Sequence, residues 1–120
     1  AVLNYINQAN MRGETICVPD LAASFQNAVV EVLVSRAVAA AKEYGYDRLA
    51  IAGGVASNSA LRAGMKEACE REGLKFYYPS PIYCTDNAAM IGAAAYYEYK
   101  NGTRAGWDLN AVPNLKLGER

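Results

Sequence analysis

The sequence contains no histidine. No Ser/His or Cys/His catalytic set can therefore form within it, nor can an HExxH motif. Cysteine is scarce and widely spaced: Cys17, Cys69 and Cys84, with no CxxC pair. That argues against a disulfide framework and a self-contained zinc site, and it fits a reducing cytoplasm. A net charge is missing too, since 12 basic residues balance 12 acidic ones. The chain as a whole has no basic field to gather nucleic acid, which leaves only a local patch for that purpose. The longest apolar stretch, Val29 to Ala41, is interrupted by Glu31, Ser35 and Arg36, and it reads as a buried helix rather than a membrane span. There is no signal-peptide pattern. Disorder is excluded by the opposite of a lack, because 52% of the residues are apolar.

What is present reads as alternating helices and strands. Ala1 to about Gln8 is a short helical run, already helical at its first residue, which leads us to expect a segment of a longer chain. Met11 to Pro19 reads as a connector, with Gly13 and Pro19 as breakers. Asp20 stands where an N-cap is expected for a long helix running to about Tyr44, with Gly45 as its stop. Leu21, Phe25, Ala28, Val29, Val32 and Leu33 share one face of that helix, which is apolar over much of its circumference. Such a helix belongs between layers or beneath a missing partner. Arg48 to Ala52 reads as a buried strand, Ser57 to Glu72 as a helix, and Lys75 to Tyr78 as a second strand. Thr85-Asp86 can cap a last helix from Asn87 to about Lys100, stopped by Asn101-Gly102. Residues 103–120 read as a polar tail, after a folded part covering 1–102. The expected fold class is α/β in the order α-α-β-α-β-α. A strand-helix-strand succession predicts parallel strands, and two strands make a small sheet, so further strands are expected elsewhere.

Two loops follow the strands, and ligands of open parallel sheets bind outside the carboxyl ends of the strands. The first is Gly53-Gly54-Val55-Ala56-Ser57-Asn58; the second runs from Pro79 to Asn87. Parallel strands place both on one edge. Paired glycines allow unusual dihedrals and a close backbone approach to a ligand. The next helix start suits phosphate or carboxylate, and Asn58 offers both a donor and an acceptor there. The same residues serve equally as a tight turn and an ordinary cap. The pattern is neither a P-loop nor a GxGxxG fingerprint. Asp86 is either a helix-capping carboxylate or one oxygen ligand of a metal, and one carboxylate does not make a metal site. Tyr77, Tyr78, Tyr83, Tyr96, Tyr97 and Tyr99 suit core or interface packing better than base stacking.

IAGGVASNSALR (residues 51–62) and YPSPIYCTDNAAMIGAAAYY (residues 78–97), together with residues 20–40 and the opening AVLNYI, resemble the C-terminal part of the TsaD family. That family serves tRNA threonylcarbamoyladenosine biosynthesis and was once labelled Gcp, or O-sialoglycoprotein endopeptidase. The resemblance covers about residues 1–102. It implies a fragment of a ribonuclease-H-like lobe of the actin-like, Hsp70 and sugar-kinase ATPase superfamily. It implies transfer of threonylcarbamoyl from threonylcarbamoyl-adenylate to the adenine beside the tRNA anticodon. By the resemblance, Gly53, Gly54 and Asn58 hold the nucleotide or substrate, ATP or the adenylate, and Asp86 is a ligand to iron or zinc. The implied partners are tRNA and accessory proteins of the TsaB and TsaE type, in the cytoplasm and without a membrane.

The family's metal-binding histidines have no counterpart in this sequence. We therefore expect the chain alone neither to bind iron tightly nor to modify tRNA, and its uncovered apolar surface leads us to expect self-association. The old protease label has no support among these residues. Two other readings stay open at this stage: the nucleotide-binding lobe of another actin-like carbamoyltransferase or kinase, and a non-enzymatic interaction domain.

Overall fold

The computed structural model describes residues 1–116, so the last four residues of the expected polar tail, 117–120, lie outside the described part. The chain divides into two units, Ala1–Thr85 and a second that begins at Asp86.

The first unit holds helix α1 (Val2–Arg12), helix α2 (Val18–Glu43), strand β1 (Arg48–Ala50), helix α3 (Ser59–Arg71) and strand β2 (Lys75–Tyr77). Helix α1 runs past Gln8, because Met11 and Arg12 are good helix formers. It stops at Gly13, whose φ is 69°. Helix α2 starts earlier than Asp20. Cys17 holds the cap position without a side-chain bond, and Pro19 falls in the first turn, where no N–H is needed. Asp20 lies in that first turn, where its charge suits the helix dipole.

Helix α2 is not buried as a whole, contrary to expectation. Of its 26 residues only Val38 and Ala41 are buried. Val30, Val34, Ala37 and Val38 pack on α3, whereas Phe25, Val29, Val32 and Leu33 from the apolar face legible in the sequence are exposed. The reason is geometric: one helix and a two-stranded sheet can cover only one side of it. By length and composition α2 is also apolar enough to cross a membrane, yet Glu31 and Arg36 lie mid-helix and one face serves the packing on α3.

Strands β1 and β2 pair in parallel, with Arg48 opposite Lys75, Leu49 opposite Phe76 and Ala50 opposite Tyr77. Both strands are shorter than the sequence suggests, although the Ile51 N–H still donates to the Tyr77 carbonyl at 3.0 Å. The core is small. Val38, Leu61, Met65, Ala68 and Cys69 form it, with Leu49, Ile51, Leu74 and Phe76 closing it from the sheet side. Gly64 of α3 faces Val30 and Val34 of α2, and a Cβ there would lie 3.4 Å from Val30 Cγ1. At the far end of the same helix pair, Lys42 and Glu72 form an ion pair. The Lys42 hydrogen bond, then its charge, holds the Glu72 carboxyl below the usual carboxylate range.

The second unit contains helix α4 (Ala88–Lys100). Its cap is Asn87 rather than Thr85 or Asp86: the Asn87 side chain accepts from the Met90 N–H at 3.0 Å. An amide oxygen two bonds from Cβ reaches that N–H when the residue's own backbone is extended, as here. Asn101 closes the helix and Gly102, with φ of 86°, follows it. The tyrosines do not form a core. All six are exposed, Tyr96 and Tyr97 meet edge to face, and Arg104 lies over the Tyr99 ring at 3.8 Å.

Candidate functional site

The first loop leaves β1 through Gly53, at φ 85° and ψ 172°. That backbone region is essentially open to glycine alone. Residues Gly54–Ser57 then wind one 3-10 turn, closed by Ala56 N–H to the Gly53 carbonyl at 3.0 Å. This turn delays the start of α3 from Ser57 to Ser59. Gly54 is different from Gly53: its φ is not positive, and a Cβ there would meet only Thr85 Cγ2 at 3.9 Å.

Asn58 ends the turn and caps α3. Its Oδ1 accepts from the Leu61 N–H at 2.9 Å. Its Nδ2 donates to Gln26 Oε1 of α2 at 3.0 Å. An amide has two donor hydrogens and two lone pairs, so one of each is left over for a ligand. Beside it an open groove of about 500 Å³ runs between α2 and the turn, lined by Ala22, Phe25, Gln26, Val29, Val30, Leu33, Val55, Asn58 and Leu61. Its lining is apolar except for the two amides.

The second loop carries a short 3-10 turn at Pro81–Tyr83, then the buried Cys84 and the exposed Thr85. The two loops of the first unit do meet, through a residue that the motif reading passed over. Arg62, one turn into α3, donates from Nε to the Ala56 carbonyl. Its Nη2 donates to the Pro79 carbonyl at 2.9 Å and lies 3.2 Å from Cys84 Sγ. The guanidinium also sits over the Tyr78 ring at 4.7 Å. One signal for it was available. A cation in the first turn of a helix opposes the dipole, so an arginine there implies carbonyl partners nearby. Gln26 was missed for a different reason: nothing local in α2 marks it.

Gly53, Gly54 and Asn58 therefore lie together in one turn. Asp86 opens the second unit and is exposed. Among the described residues no three His, Cys, Asp or Glu side chains gather to hold a metal. A single exposed carboxylate does not hold iron or zinc, so these residues by themselves do not fit a resident ion.

Comparison with known proteins identifies the family of the chain. The sequence model of the family described as TsaD, tRNA N6-adenosine threonylcarbamoyltransferase, matches residues 1–93. Over all 120 residues the chain is 57% identical to a protein of that name from Clostridium novyi. It is 55% identical to one from Clostridium botulinum and 56% identical to one from Clostridium perfringens, again over its whole length. In each case it spans 35% of the relative's length. The chain belongs to the TsaD family of tRNA N6-adenosine threonylcarbamoyltransferases.

Proposed function

We propose that this chain forms the nucleotide-holding wall of a tRNA threonylcarbamoyltransferase, within the actin-like type of lobe that the resemblance implies. The observation that carries this is the turn itself. Gly53 adopts a glycine-only conformation, and Asn58 keeps one donor and one acceptor beside an open groove. The N–H groups of the first turn of α3 that lack partners within the helix favour an anionic group. An adenylate presents an anionic phosphate and a flat base, and Asn58 suits the orienting of such a ligand.

In the reaction, the exocyclic amine of adenine attacks the threonylcarbamoyl carbonyl and AMP leaves. The contribution of this chain is positioning: fixed backbone amides and one amide side chain hold the leaving group in line. Asp86 would serve as one metal ligand, with the others drawn from outside these residues. With no net charge of its own, the chain brings little electrostatic attraction for tRNA. That attraction, and contacts to TsaB- and TsaE-like proteins, belong to the intact transferase. Three free thiols, one of them exposed, suit a cytoplasmic setting.

The test is a graft. This chain replaces the matching stretch of the Clostridium novyi relative, and threonylcarbamoyl transfer to tRNA is assayed. The graft is expected to be active, Asn58→Asp within it to be slower, and the chain alone to be inactive. A folded graft with no transfer would reject the reading.

A further inference from the structure

We propose that Arg62 is a positioning residue that sets the spacing of the two loops and thereby the affinity of the nucleotide site; this rests on the nucleotide reading above. Every polar contact of its guanidinium runs to one loop or the other. Nε takes the Ala56 carbonyl of the first loop, and Nη2 takes the Pro79 carbonyl of the second, beside the Cys84 sulfur. Tyr78, at the end of β2, covers the guanidinium face. The anchor points are firm, since Ala56 and Cys84 are buried at 2% and 3% exposure. The loops run side by side, since a Cβ on Gly54 would lie 3.9 Å from Thr85 Cγ2.

A planar fork can satisfy two carbonyls that face it from different directions, whereas an ammonium on a flexible stem cannot hold both in fixed geometry. Arg62 thus couples the Gly53–Asn58 turn to the segment that leads to Asp86. Asn58, on the same helix start, is held to α2 by Gln26. The turn is therefore fixed from two sides, and the Arg62 side joins it to the second loop. Misplacement of a binding loop by a fraction of an ångström is enough to lower affinity without any lost ligand contact.

The test uses the chain itself, with ATP as the probe. Amide NMR spectra are recorded during an ATP titration of the wild type, Arg62→Lys and Arg62→Gln, alongside hydrogen exchange without ligand. In the wild type ATP is expected to shift the Gly53, Gly54 and Asn58 amides. In both variants, exchange is expected to rise in the two loops but not at Met65 and Cys69, and ATP affinity to fall by roughly tenfold. Lysine is expected not to rescue. Loops that loosen while ATP affinity stays unchanged overturn the proposal, because Arg62 is then only structural. Exchange that rises equally in the core also overturns it. A wild type that shows no ATP shifts sinks the nucleotide reading itself, and the positioning role with it. A wild type that binds while Arg62→Lys binds equally well sinks the positioning role alone.

Discussion

Two adjacent glycines do different work in this protein. Gly53 is required by its backbone, with φ of 85° and open space around it. Gly54 is required by neither dihedral nor crowding. Gly53→Ala is therefore expected to cost about 1–3 kcal/mol of stability. Gly54→Ala is expected to stay within about 0.5 kcal/mol of the wild type. Equilibrium unfolding in urea checks both, and equal losses would show that the turn has been misread. The cysteines separate in the same way. Burial pushes the Cys69 thiol up from its ordinary value, while Cys17 is exposed. Cys17 is expected to react first with a thiol reagent at neutral pH and Cys69 only on unfolding, as mass spectrometry of the labelled chain will show. Gly53 and the Asn58 cap were legible in the sequence because local backbone needs leave a local mark. Gln26 was not, because its role is defined by an amide far along the chain, and Arg62 left only the mark of a cation in the first turn of a helix.

At the level of elements, most segments were legible and their ends were not. Gly13 and Gly45 stop helices as glycine does, and the apolar runs at 48 and 75 are strands. Asp20 and Asp86 look like caps by residue type, yet Cys17 and Asn87 hold the positions, because the neighbouring proline and the extended backbone decide where the helix begins. The face of α2 that is packed could not be chosen from periodicity, since valine and alanine lie all round the helix. One contact between elements makes a pH prediction. Lys42 near the end of α2 pairs with Glu72 after α3, and the folded carboxyl titrates below its unfolded value. A depressed acid stabilises the fold above the ordinary carboxylate range, and the contribution is lost as pH falls through the folded value. The partners are partly exposed, so the effect is small. Lys42→Met is expected to lower the melting temperature slightly at pH 7, with the difference from the wild type vanishing in acid. A difference that persists at low pH would assign the effect to packing of the lysine stem instead.

For the whole molecule, the imbalance of α2 dominates. Phe25 at 57%, Val32 at 55% and Leu33 at 41% exposure put bulky apolar groups in solvent. Burying such a patch is favourable, so the isolated chain is expected to self-associate, with Phe25→Ser and Leu33→Ser weakening it. Sedimentation equilibrium decides this: a mass that stays monomeric as concentration rises counts against it. The packing of α3 has a consequence of another kind, in time rather than in space. Four of the five buried residues of the core cluster, Leu61, Met65, Ala68 and Cys69, come from this one helix, which lies against both α2 and β2. Neither the parallel strand pair nor the α2 contact can close before α3 is in place. Folding is then expected to be nucleated on α3, so that Met65→Ala slows refolding in stopped flow, while Gly53→Ala chiefly hastens unfolding. Met65→Ala acting only on the unfolding limb would place the nucleus elsewhere. A chain built this way is expected to commit to its fold at its middle, with the Gly53–Asn58 turn at the head of α3 set once that helix has docked.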